Sequence, residues 1–174
     1  MLKYLYYILA SIILVFLQQT ILPNLGFLNN LNVILVSLVF ITIISGFNIG
    51  FIFAMLLGLL FNIYSFLPLG TFIIIYLIIC LIVNFLYKNV FINFSFLTNL
   101  ILIIIATFLY SIFVSLSAYL FYLMNLSRIF IVLDQALAIN FIMQLLLNSL
   151  LISLIFILAK LTIKKLNLVF LIKK

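Results

Sequence analysis

From Tyr4 to Tyr87 the chain carries no charged side chain at all, and its apolar runs are interrupted only by short clusters of Asn, Gln, Ser, Pro and Gly. No soluble fold is built from such a sequence, because a water-facing surface needs far more charge than this. In a bilayer the same sequence is natural, since about 20 consecutive apolar residues span the hydrocarbon as a helix. Composition extends the point to the whole chain: of its 174 residues 71% are hydrophobic and only 5% charged, with a mean hydropathy of +1.66. An ordinary soluble domain is about 25% charged. The expectation is an all-α integral membrane protein with one transmembrane domain over residues 1–174.

The breaks set the spans at about 4–22, 32–45, 47–64, 71–87, 96–124 and 136–159, a six-helix bundle ending in a short basic tail. The first segment resembles a secretory signal in starting Met1-Leu2-Lys3. Its apolar run is too long for a signal core, however, and Gln18-Gln19-Thr20-Ile21 offers no small-x-small cleavage pattern, so it reads as a retained span. The second span is short for a crossing and the fifth is long. Charge placement gives an independent check. With a cytoplasmic N-terminus, six crossings put Lys3, Lys88, Lys160, Lys164, Lys165, Lys173 and Lys174 inside and leave only Arg128 outside, as the positive-inside rule requires. Both termini are therefore expected in the cytoplasm. The net charge of +7 reflects this placement and attraction to anionic lipid; no nucleic-acid motif accompanies it.

Small residues recur every four positions at Gly46, Gly50, Ala54 and Gly58, with Asn62 continuing the series and Gly70 closing the next break. Four-residue spacing keeps side chains on neighbouring parts of one helix surface, and small-xxx-small series let helix backbones approach closely in lipid. Each step overshoots a full turn by about 40°, so the series spirals. It reads as a helix-packing or partner-binding face, although glycine is frequent in membrane helices generally.

The inventory of reactive groups is bare. The chain has no His, one carboxylate (Asp134) and one thiol (Cys80). Paired-carboxylate catalysis and a Ser-His-Asp triad cannot be assembled from it, and neither can a three-ligand zinc site. No enzyme activity, cofactor or metal is expected. Proton relays, which use intramembrane Asp, Glu or His, are disfavoured too. Asp134 stands close to Arg128 and to the start of the sixth span, as a cap or surface ion pair, or as part of an external vestibule. Uncharged polar residues fall inside apolar runs: Gln18, Asn62, and the four-step stripe Asn140, Gln144, Asn148. That stripe either joins helices or lines a ligand cavity.

The early Gln18, the corner at Pro23, a second span opening at Asn32 before VILVSLVF, then Gly46-x3-Gly50-x7-Gly58-x3-Asn62 and a loop ending Leu69-Gly70 together resemble the MreD family, the small membrane subunit of the bacterial rod-shape system. The resemblance covers about residues 17–70. The family commonly has Pro where this chain has Asn32, and Asp where it has Asn62. What the resemblance implies is a non-catalytic scaffold in the bacterial cytoplasmic membrane, part of the elongation machinery for peptidoglycan, with MreC, the MreB filament, RodA and a penicillin-binding transpeptidase as partners. Gly46, Gly50, Gly58, Asn62 and Gly70 would be its family-like core. The alternative is the substrate-binding membrane subunit of an energy-coupling-factor vitamin transporter, whose fold is similar. Against it, the Ala-x3-Ala pattern expected in the first span is absent, Ala10 being followed by Leu14. A membrane protein of unrelated function is the third possibility.

Overall fold

The computed structural model describes residues 2–65, 67–91, 95–125 and 135–171, and all regular structure among them is helical. The helices are α1 (Leu2–Phe16), α2 (Val33–Ser45), α3 (Phe47–Ile63), α4 (Thr71–Asn89), α5 (Phe96–Leu123) and α6 (Gln135–Leu171). Four segments are long and apolar enough to cross a membrane: Tyr6–Asn24, Thr71–Asn89, Phe96–Leu123 and Gln135–Leu161. The chain thus has the make-up of a multi-pass membrane protein. The shorter apolar helices α2 and α3 measure about 20 and 26 Å at 1.5 Å per residue, less than the roughly 30 Å hydrocarbon core. Arg128 and Asp134 lie outside the described residues.

The second helix is the hub. It packs against each of the other five, and Ile34, Leu35, Val36, Leu38 and Val39 are completely buried in the core. Two of its three hydroxyls, Ser37 and Thr42, cause no conflict there. Ser37 Oγ donates to the Ile34 carbonyl (2.9 Å) and Thr42 Oγ1 to the Leu38 carbonyl (2.8 Å), so each is satisfied within its own helix. Around this hub α1 packs on α3, α3 on α4, α4 on α5 and α5 on α6. Outward faces remain apolar, with Ile74, Phe85, Leu97, Phe108, Leu116, Leu150 and Leu154 all more than half exposed. Such a surface is stable against lipid, and in water it would be an aggregation site.

The connections follow from local chemistry. α1 does not run evenly to the end of the expected first span: Leu17–Ile21 forms one π turn and Leu22–Asn24 a 3₁₀ turn with Pro23 in its first positions. Proline suits that place because its missing N–H has no helical partner to lose. A second 3₁₀ segment, Gly26–Asn30, leads to Asn32, which caps α2 by accepting from the Leu35 N–H at 2.9 Å. Between α2 and α3 there is one residue, Gly46, at φ +80° and ψ 176°. Only glycine occupies that region without strain, and it reverses the chain within one residue. At the far end α6 continues past the expected limit of 159 into the basic tail, to Leu171.

Candidate functional site

The small-residue series serves the chain's own packing. Gly50, Ala54, Gly58 and Asn62 are all buried. A Cβ built on Gly50 would sit 2.6 Å from Thr42 Oγ1 and 3.1 Å from Thr42 Cα, on α2. One built on Gly58 would sit 2.6 Å from Ile73 Cα, 2.8 Å from Ile73 N and 3.0 Å from the Phe72 carbonyl carbon, all α4 backbone. The spiral noted in the sequence is thus the geometry in use, because the two ends of the series meet different neighbours. Asn62 extends the same surface by accepting from the Phe72 N–H at 3.2 Å. It satisfies one of the orphan donors in the first turn of α4, while its own Nδ2 is buried without a partner among the described residues. Gly70, at φ +99°, begins α4. A further tie is Thr42 Oγ1 to Cys80 Sγ, 3.6 Å apart and buried between α2 and α4.

The polar residues divide into two groups. The first is fully committed to structure. Gln18 bridges the α1–α2 connection, donating from Nε2 to the Leu31 carbonyl and accepting at Oε1 from the Val33 N–H, both at 2.8 Å. Asn148, fully buried on α6, accepts at Oδ1 from the Asn32 N–H at 2.9 Å and donates from Nδ2 to Thr107 Oγ1 at 3.0 Å. One side chain therefore ties α6 to the start of α2 and the middle of α5. Unpaired, these groups would each cost about 1–3 kcal/mol when buried.

The second group, Asn29, Asn30, Ser111, Asn140 and Gln144, lines an open cleft of about 290 Å³ whose walls also include the structural Gln18 and Asn32, with Leu31, Phe61 near the end of α3, Tyr110 of α5, and Leu137 and Phe141 of α6. Here Asn30 Nδ2 approaches Asn140 Oδ1 at 3.4 Å, a marginal bond by length. Asn29, Ser111 and Gln144 make no side-chain hydrogen bond among the described residues. Thus the four-step stripe of α6 splits by depth: Asn148 is a structural tie, whereas Asn140 and Gln144 face the cleft.

Beneath the cleft lies an aromatic cluster. Phe61 meets Phe72 edge-on at 4.6 Å between ring centroids, and Tyr76 lies parallel to Tyr110 at 6.0 Å and 8°. Tyr76 is wholly buried and its hydroxyl has no partner among the described residues. The sequence offers no reason to single out these rings from its 20 Phe and 9 Tyr. Thr107, Tyr110 and Ser111, spaced three, four and one apart, do form a short polar stripe on α5 that could have been found. A second recess of about 450 Å³, between α4 and the later part of α5, is almost wholly apolar, with Ile74, Ile78, Leu116 and Leu120 among its walls.

Among the described residues no group of three or more His, Cys, Asp or Glu is placed to hold a metal ion. Comparison with family models, with curated proteins and with solved structures gave no match.

Proposed function

We propose that this chain is a non-catalytic, six-span scaffold subunit of a bacterial rod-shape complex, similar to MreD, with both termini in the cytoplasm. The observation that carries the proposal is the coherence of the residues behind the resemblance. Gly46 makes the one-residue reversal, Gly50 admits α2, Gly58 admits α4, Asn62 caps α4 and Gly70 begins it. Each residue has a backbone task in a single α2–α3–α4 unit, which is how a recurring pattern acquires its residue requirements. The departures from the family pattern have local partners. Asn32 adds an N–H that proline lacks, and Asn148 accepts it; Asn62 keeps an acceptor where the family has Asp.

A partner helix would then rest on the exposed outer faces rather than on the glycine series, which is occupied inside the bundle. The scaffold would position MreC and the RodA–transpeptidase pair laterally, through apolar helix surface and without chemistry of its own. Purification of the tagged protein from its native membrane in mild detergent, with mass spectrometry of co-purifying proteins, tests this. Recovery of MreC or RodA is expected, and recovery of a transporter ATPase module in their place would refute the proposal. That second reading, a substrate-binding transporter subunit, is favoured by one observation, the polar cleft bordered by Asn140 and Gln144.

A further inference from the structure

We propose that the cleft between the α1–α2 connection, α5 and the start of α6 binds an uncharged, hydroxyl-rich molecule about the size of one sugar ring. Volume sets the scale. At about 30 Å³ per water, 290 Å³ holds on the order of ten waters, at the lower edge of the usual small-molecule range of about 300–1,000 Å³. The chemistry of the walls sets the class. Among the described residues, all the polar side chains that line it are amides or hydroxyls. A phosphate, carboxylate or ammonium entering would give up part of its hydration and gain no counter-charge from these described walls. Neutral amides, by contrast, both donate and accept, and so match the paired donor and acceptor character of neighbouring hydroxyl groups.

The structure also separates the groups that hold the cleft from those free to bind. Gln18 and Asn32 are held by the backbone bonds that shape the corner, whereas Asn29, Ser111 and Gln144 have unused hydrogen-bonding capacity among the described residues. Phe61, Tyr110 and Phe141 add aromatic surface suited to the apolar C–H face of a sugar ring. The ring can arrive as free sugar or as the headgroup of a glycolipid. The inference is independent of the scaffold reading, and it supplies a ligand class that the transporter reading leaves open.

The test uses the full-length protein in nanodiscs. Calorimetric titration with methyl glucoside in phosphatidylglycerol nanodiscs addresses the free sugar, and native mass spectrometry from nanodiscs containing monoglucosyl-diacylglycerol addresses the headgroup. Glucose 6-phosphate is the charged control. Saturable binding in either arm is expected, with Gln144→Leu and Asn140→Leu each weakening it about tenfold and glucose 6-phosphate binding at least tenfold more weakly. Ser111→Ala, a smaller change, carries the same comparison if the leucine variants lose helical circular dichroism. Failure of both neutral ligands to bind, equal binding of the phosphate, or wild-type affinity in the folded variants overturns the proposal. A charged vitamin bound instead would overturn the ligand class while leaving the transporter reading intact. An unchanged set of co-purifying partners in Gln144→Leu keeps the scaffold question separate.

Discussion

Gly58→Ala adds a single methyl group where there is no room for one. The ideal Cβ lies 2.6 Å from Ile73 Cα and 2.8 Å from Ile73 N, whereas carbon atoms rest at about 3.5–4.0 Å. Because the obstructing atoms are backbone, no rotamer change relieves the clash, and α3 must move away from α4 by ~1 Å. Overpacking of this kind costs about 1–3 kcal/mol. In a helix position with open space the same substitution stabilises by about 1 kcal/mol through helix propensity, so the sign of the effect itself reports the close approach. Gly50→Ala is the internal comparison. Its closest obstruction is the Thr42 hydroxyl, which can rotate at the loss of its bond to Leu38, leaving the nearby Cα at 3.1 Å as a smaller obstacle. We therefore expect Gly58→Ala to be the more destabilising in reversible SDS unfolding from mixed micelles, by about 1 kcal/mol or more. Thr42→Ala should partly rescue Gly50→Ala, while Ile73→Ala should not rescue Gly58→Ala. A Gly58→Ala protein as stable as the parent, or a reversed order of the two, would refute the packing argument.

Gly46→Ala places a Cβ on a residue at φ +80° and ψ 176°; a loss of about 1–3 kcal/mol is expected from backbone strain, in the same unfolding assay, although nothing lies within 4 Å of the added atom. Asn62→Asp retains an acceptor for the Phe72 N–H, so it should be the better tolerated of two changes at this buried position, whereas Asn62→Leu should cost about 1–3 kcal/mol by leaving that N–H unpaired. Asn148→Leu removes the acceptor for Asn32 N–H and the donor to Thr107, and a loss of about 1–3 kcal/mol is expected together with faster hydrogen exchange at Asn32. Cys80 is completely buried, and a maleimide should label it only after unfolding; rapid labelling of the folded protein in micelles would contradict its place between α2 and α4.

Much of the helical framework was legible because it depends on short-range sequence. The apolar runs needed only their length, and the breaks were marked by residues with local backbone preferences. Gly46, Pro23 and Gly70 stand where the chain turns or a helix begins. The expected limits 47–64 and 96–124 differ by one residue from α3 and α5. The π turn at Leu17–Ile21 had no such local marker. Its position accompanies the long-range bonds of Gln18 to Leu31 and Val33. The site was legible only as an ingredient list. Asn140, Gln144 and Asn148 are equivalent by spacing, yet one is a buried tie and two face a cleft, because what each meets is set by neighbours that the sequence of α6 does not name.

By itself, then, the sequence determined the solvent. A chain without charge from Tyr4 to Tyr87 must place its backbone in helices within an apolar medium, since every N–H and C=O there needs an internal partner. It also determined where close approach was affordable, at Gly50 and Gly58. Only the tertiary structure decided which backbones came close and which amides were left over. Asn32 and Asn148 meet across 116 positions, and Asn148 and Thr107 across 41. In an almost uniformly apolar chain many helix arrangements bury similar surface. The chosen one satisfies these few polar groups while fitting backbone against glycine, a joint geometric condition that no local stretch of residues contains.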